Sequence, residues 1–185
     1  MTTIGWFPAD VVLDDGGRVH IRPLGRADAA LVARGFEQLS AASRRLRFFS
    51  TIPRLSPALL RWLVDVDQHD HLALLAVRAD EPGSGLGIAR AVRSHDDPEH
   101  AEVAVTVLDK HHGRGIGSAL LKALRRAALA EGITHFDGHV LVDNAAALGL
   151  LRHADAELHL DEPGVYAFSL PLRPVTATRR ATVAS

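Results

Sequence analysis

Apolar and polar positions change period several times along the chain, and each change marks an element. Val11, Val12 and Leu13, then Val19, His20, Ile21 and Arg22, flank the turn Asp14-Asp15-Gly16-Gly17, which predicts a hairpin over Val11 to Leu24. From Arg26 the period lengthens: Val32, Phe36 and Leu39 recur at helical spacing, with Asp28 in a first turn where its charge complements the helix dipole. Ser40 opens a second, basic helix, SAASRRLRFF, and Ser56-Pro57 supplies an N-cap and a proline at the first helical position of Ala58 to Val66. Strand patterns resume at His71 to Arg78, where Leu72, Leu74 and Leu75 suggest burial on both faces, and continue at Leu86 to Arg93 after the turn Glu81 to Gly85. In Ala101 to Leu108 the alternation of Val103, Val105 and Val107 with their neighbours predicts a strand near the sheet centre. Ile116, Leu120, Leu124 and Ala128 then form a helical stripe within Gly115 to Glu131, and Gly132 is read as its left-handed stop. A strand at His135 to Val142, a helix at Ala145 to Arg152 and strands at Glu157 to Leu160 and Val165 to Leu170 complete the pattern. There is no internal repeat.

Composition narrows the class. At 185 residues one domain is expected over residues 1–170, followed by a frayed tail over 171–185 whose Arg173, Arg179 and Arg180 are its partner-contacting candidates. The net charge of −1 and pI of about 6.8 disfavour a nucleic-acid-binding surface. Cysteine is absent, which removes disulfides, a thiol nucleophile and Cys-based metal sites. No apolar run approaches the roughly 20 residues of a membrane span, and MTTIGWFPADVV lacks the layout of a secretory signal, so a cytoplasmic protein with no membrane partner is expected.

The chemistry concentrates in DKHHGRGIGSALL, Asp109 to Leu121, where a strand hands over to a helix. Amides in the first turn of a helix lack intrahelical acceptors and carry the positive end of its dipole, and glycine lets phosphate oxygens approach them closely. A P-loop needs Lys and then Ser or Thr after its last glycine, whereas Gly117 is followed by Ser118 and Ala119. A dinucleotide fingerprint needs Gly-x-Gly-x-x-Gly, whereas Gly113, Gly115 and Gly117 alternate strictly. Taken alone, the segment is either a phosphate loop or a tight strand-to-helix turn.

With its flanks, the segment resembles the pyrophosphate loop of the GNAT superfamily of N-acetyltransferases. The family pattern has Gln or Arg, two residues, Gly, one residue, then Gly or Ala; here His112 stands first, before Gly113, Arg114, Gly115, Ile116 and Gly117. Asp143-Asn144 followed by an alanine-rich helix resembles the next family motif, beside the pantetheine arm. The order of elements matches across nearly the whole chain. The resemblance implies an α/β fold, more fully a mixed α+β sheet flanked by helices on both faces, and acetyl-CoA as acyl donor. It implies cofactor contacts at Val107, Leu108, His112, Gly113, Arg114, Gly115, Ile116, Gly117, Ser118 and Asn144, with a backbone N–H near Val107 or Leu108 serving the oxyanion. The context Ala-Glu-Val-Ala at 101–104, with LSAASRRLRFF and Leu55-Ser56-Pro57, looks like the catalytic domain of bacterial protein lysine acetyltransferases.

The implied reaction is acyl transfer to a primary amine, first among them a protein lysine, by direct attack in a ternary complex. Glu102 is the candidate base: it is the one charged residue in AEVAVTVL, and an apolar strand would desolvate it. The other reading puts Glu102 at the exposed start of its strand. Asn144 is either a helix cap or a cofactor contact, and Arg114 either a phosphate partner or a solvated cation. The family's general-acid tyrosine aligns with Leu151, while Tyr166 lies in a late strand. His111-His112 and the cluster Asp65, Asp67, His69, Asp70 and His71 are read as loop residues, and no metal is expected. Arg44, Arg45 and Arg47 are read as a solvated helix face, or as flanks of an acceptor groove. A small-amine acetyltransferase and a non-catalytic acyl-CoA-binding regulator are the competing functions; the basic character of Arg26 to Val66 weighs against a polycationic acceptor.

Overall fold

The computed structural model describes residues 9–172. In chain order the elements are β1 (Ala9–Val12), β2 (Arg18–Pro23), α1 (Ala29–Gln38), α2 (Ala41–Phe48), α3 (Pro57–Val64), β3 (His71–Arg78), β4 (Gly85–Arg93), β5 (His100–Val107), α4 (Ile116–Ala130), β6 (His135–Leu141), α5 (Ala145–His153), β7 (Glu157–Glu162) and β8 (Val165–Pro171), with short 3-10 turns before α1 and α4. The strands form one sheet in the order β1-β2-β3-β4-β5-β6-β8-β7. All described pairs are antiparallel except β5 with β6, so the sheet is mixed, as expected.

Local signals account for the element ends. Ser40 Oγ accepts from Ser43 N and Ser56 Oγ from Leu59 N, both at 3.1 Å, which starts α2 and α3 where their hydroxyls predict. Gly132 has φ +80° and closes α4. Asp28 does more than face a helix dipole. It is 8% exposed, receives Arg22 on both oxygens at 2.6 and 2.9 Å and accepts the Gly25 amide, so it fastens the end of β2 to the start of α1. The Arg22 hydrogen bonds hold its carboxyl below the usual range.

Strand β3 is buried on both faces because helices cover both. Leu72, Leu74 and Ala76 pack under α4 with Ile116, Leu120 and Leu124, whereas Ala73, Leu75 and Val77 join Leu24, Val32, Leu63 and Val64 below α1 and α3. Each fully buried leucine of the α4 stripe stabilises the fold by about 1.5–3 kcal/mol. A third cluster, Val140, Leu148, Leu151 and Phe168, seats α5 against β6 and β8. Gly138 is fixed by this packing, since a β-carbon there would lie 2.9 Å from Phe168 Cζ. The last strand runs through Pro171 and Leu172 is buried after it, so the sheet extends one residue, and the core two, into the segment expected to be a tail. Residues 173–185 of that expected tail, with Arg173, Arg179 and Arg180, lie outside the described residues.

Candidate functional site

Strands β5 and β6 part soon after they meet. Their parallel register covers His100 to Glu102 against His135 to Asp137, and from Val103 onward the two diverge. Leu108 N–H donates to Leu86 O at 2.9 Å, which fixes the alternation along β5. Residues Val103, Val105 and Val107 therefore turn their N–H and C=O groups to the β6 side, into the opening. The Leu108 amide is engaged by β4 and is corrected as an oxyanion donor; of the two expected residues, Val107 is the one whose N–H faces the opening. Val107 O accepts from His112 Nε2 at 2.8 Å, so His112 braces the strand end.

The glycine loop sits at the wide end of this opening. Gly113 and Gly115 have φ of +73° and +82°, a left-handed backbone that favours glycine. Gly115 is the N-cap of α4 and no side chain caps it; the first intrahelical amide bond runs from Ala119 N to Gly115 O at 3.0 Å. The amides of Ile116, Gly117 and Ser118 are thus the orphan donors at the positive end of a fifteen-residue helix. Gly117 is helical, and a β-carbon there would lie 3.7 Å from Leu150, 3.8 Å from Val107 and 3.9 Å from Val105. The first turn of α4 therefore looks into the space between β5 and α5, which suits an anion entering between them.

The side chain of Arg114 points elsewhere. Its Nε donates to Asp15 Oδ2 at 2.6 Å and its Nη1 lies 3.2 Å from His111 Nδ1, tying the loop to the β1–β2 turn. The Arg114 hydrogen bond lowers the Asp15 pKa. Across the opening, Asn144 Oδ1 accepts from Ala147 N at 3.1 Å and caps α5, leaving its amide NH2 for a second partner. Helix α2 spans both rims: Asp109, just after β5, accepts from Ser40 N at 2.9 Å and from the hydroxyls of Ser40 and Ser43, while Arg45 pairs with Asp143, just after β6.

Glu102 lies at the narrow end, in the last β5 residue paired to β6. It is exposed, so the desolvated carboxylate expected from the apolar strand is not formed; the position is close to the strand start and the helical layer does not close over it. Its side chain shares the face of Ala104 and Thr106, on the side of α1 to α3 and opposite α4. The opening thus connects the orphan amides on one face of the sheet with Glu102 on the other.

Beside Glu102 the α1–α3 layer leaves a cavity of about 80 Å³, walled by Phe48, Leu55, Leu63 and Ile88 and reached by Arg47 and Arg90. Arg90 is 3% exposed; its guanidinium donates to Leu63 O at 2.5 Å, touches the His71 ring and lies 5.1 Å from the Trp62 ring centroid. Burial and then the charge of Arg47 push the Arg90 pKa down to about 10. Burial lowers Arg47 as well, against the attraction of Glu102. His71 is pushed down to about 4 by burial and by Arg90. The solvated arginine face expected on α2 is corrected: Arg44 lies over Phe36 at 4.5 Å and donates to Pro53 O, Arg45 pairs with Asp143, and Arg47 lines the cavity. The sequence reading did not single out Arg90. A lone arginine inside the apolar run LGIARAV was the available signal.

Two further positions are settled by packing. Leu151, which aligns with the family tyrosine, is 6% exposed within the α5 cluster, and Tyr166 packs against the same cluster. Asp67 Oδ1 accepts the amides of His69, Asp70 and His71 at 2.9–3.0 Å, so that polar segment is organised as a turn.

Known proteins match this arrangement. The model of the acetyltransferase (GNAT) family matches residues 38–154. Acetyltransferase Pat of Mycolicibacterium smegmatis is 32% identical over 168 residues, 91% of this chain and 50% of that protein. Acetyltransferase PA5475 of Pseudomonas aeruginosa is 36% identical over 135 residues, 72% of this chain and 70% of its own length. The crystal structure of the GNAT domain of S. lividans PAT superposes with a TM-score of 0.85 at 32% identity, covering 93% of this chain and 100% of that one. The chain thus spans about half the length of the M. smegmatis relative.

Proposed function

Because this chain belongs to the acetyltransferase (GNAT) family, we propose that it transfers the acetyl group of acetyl-CoA to a primary amine, first among them a protein lysine side chain, with Glu102 as base. The observation that carries this reading is the opening between β5 and β6, with the uncapped amides of α4 on one face of the sheet and Glu102 on the other. The pyrophosphate of the donor lies against the amides of Gly113 to Ser118, and the pantetheine arm runs between Val103–Val107 and Asn144. The thioester carbonyl then reaches the N–H of Val107.

The amine nitrogen attacks the thioester carbonyl carbon, and the oxygen takes up the negative charge. A lysine of pKa near 10.4 must first lose a proton, which costs about 4.6 kcal/mol at pH 7. Five strand residues, about 16 Å, separate Glu102 from Val107, so Glu102 accepts that proton through a chain of waters along the opening, where its carboxylate is exposed. The positive field of Arg47 and Arg90 assists by favouring the neutral amine. Collapse of the tetrahedral adduct breaks the C–S bond, the proton still held by the attacking nitrogen passes through water to the thiolate of CoA, and Glu102 returns its own proton to solvent. Leu151, packed in an apolar cluster, supplies no acid.

Replacing Glu102 by Gln tests the assignment. We expect acetyl-CoA affinity, measured by calorimetry, to stay near that of the wild type while turnover of a lysine acceptor falls by roughly 10²–10⁴-fold. Wild-type turnover in the variant removes Glu102 from the mechanism, and absence of acetyl-CoA binding to the wild-type protein sinks the donor assignment.

A further inference from the structure

Among the described residues six arginines have an aspartate partner, and of those that have none two line the cavity beside Glu102. Arg22, Arg26, Arg45, Arg78, Arg93 and Arg114 each reach an aspartate within ion-pair distance. Arg90, deeply buried, and Arg47, on the cavity wall, reach no carboxylate within that distance among the described residues. Burying a guanidinium without a counter-charge at ion-pair distance is unfavourable even when its N–H groups are hydrogen-bonded, because neutral partners do not compensate the charge and Glu102 attracts Arg47 only from farther away. Arg90 spends its donors on Leu63 O and the His71 ring, which are neutral partners, and its face on Trp62. Burial first and the charge of Arg47 second hold the Arg90 pKa down, so the two arginines also repel each other. An anion between them would offset both costs.

The cavity restricts which anion fits. On the measure by which about 10–15 Å³ holds one water, about 80 Å³ admits several, room for a short carboxylic acid. The walls of Phe48, Leu55 and Ile88 suit an aliphatic stem rather than a sugar or base. The fork of a guanidinium matches a carboxylate bidentately. Ala104, on the cavity wall, is two residues from Glu102 on the same strand face, so a group held here is attached to a reactant at the proposed base.

Resting on the acetyltransferase reading above, we propose that Arg47 and Arg90 form a carboxylate subsite, so that the preferred reactant carries a carboxylate on a short aliphatic stem. The carboxylate arrives either with the acceptor, as an amino acid or an acidic residue beside the lysine, or with the donor, as the half-thioester of a dicarboxylic acid. In both cases Arg47 and Arg90 are specificity residues.

Trp62, against Arg90, is the natural reporter, and Trp6→Phe leaves it the sole tryptophan of the chain. Titrating this variant with sodium propionate at constant ionic strength is expected to give a saturable fluorescence change. Binding of the uncharged isostere propionamide should be at least about tenfold weaker, the scale of one hydrogen bond to a charged group. Arg47→Gln should weaken propionate binding by a similar factor, and Arg47→Lys should restore part of it. Equal titration by propionate and propionamide, or wild-type propionate binding in Arg47→Gln, overturns the subsite. The source is separated in two arms: binding of succinyl-CoA against butyryl-CoA, and acetyl transfer to blocked Asp-Lys against blocked Ala-Lys peptides. A tenfold gain for succinyl-CoA assigns the carboxylate to the acyl group, and a tenfold gain for Asp-Lys assigns it to the acceptor. A gain in neither arm overturns the proposal. Transfer to neither peptide, with propionate and succinyl-CoA still bound preferentially, defeats the acetyltransferase reading and leaves the subsite standing.

Discussion

Replacing Gly117 by Ala separates what the glycine loop does for the fold from what it does for a ligand. Gly117 has ordinary helical geometry, and its new β-carbon would meet Leu150, Val107 and Val105 at 3.7–3.9 Å, which is van der Waals contact without overlap. Glycine in a helix costs roughly 0.5–1 kcal/mol relative to alanine, so the unliganded variant should be more stable by about that much. For a chain of this size that corresponds to a rise in Tm of about 1–4 °C. The same methyl group stands where the orphan amides of α4 face the opening, so a pyrophosphate there loses at least one charge-assisted hydrogen bond, and acetyl-CoA affinity should fall about 10–100-fold. Gly115→Ala provides the contrast: its φ of +82° makes alanine strained by about 1–2 kcal/mol, so stability falls together with binding. Thermal unfolding and calorimetry with acetyl-CoA measure the two effects separately. If Gly117→Ala gains stability yet binds acetyl-CoA within about twofold of the wild type, the pyrophosphate does not lie against this helix and the site is misassigned.

Two further outcomes follow from the caps and ion pairs. Asn144→Ala removes the α5 cap and should cost about 1 kcal/mol in thermal or denaturant unfolding, whereas Asn144→Asp should keep most of it; equal losses would deny the cap. His100 Nδ1 lies 2.5 Å from Asp137, and that hydrogen bond raises the His100 pKa above its usual value. The folded protein then holds this proton more tightly than the unfolded chain, so the pair's stabilisation is complete below about pH 6.5 and is lost as pH rises through the folded-state pKa. The stability difference between wild type and Asp137→Asn should therefore shrink from pH 5.5 to pH 8.5, and a difference that grows over that range would refute the assignment.

The parts of this structure legible in the sequence are those written by neighbours in the chain. Ser40 and Ser56 cap helices three residues ahead of their acceptors' donors, Gly132 closes α4, and the strict glycine alternation marks a loop whose two left-handed positions are Gly113 and Gly115. Contacts between distant residues were not legible. Arg114 finds Asp15 and Arg45 finds Asp143 across about half the chain, and no periodicity encodes either pairing. The sequence leaves Glu102 either desolvated in an apolar strand or exposed at the strand start; the structure shows it exposed, because burial there depends on how far the α1–α3 layer reaches. Arg90 lay inside an apolar run, and only the placement of Trp62, His71 and Arg47 around it gives its charge significance.

The parting of β5 and β6 also governs how the molecule holds together. Three residue pairs join the two strands, so the sheet behaves mechanically as two plates, β1 to β5 and β6 to β8, sharing a short weld. Helix α2 is a strap across the far end, fixed to one plate through Asp109 and to the other through Asp143. A guest that bonds to the β5 edge and to α5 serves as the missing rungs of the ladder. At a hundred times its Kd it adds about 2.7 kcal/mol, and that increment falls on the weld rather than evenly over the fold. The loaded protein should melt as one cooperative body, with amide exchange slowing most along β5 and β6, the strands whose shared ladder is shortest.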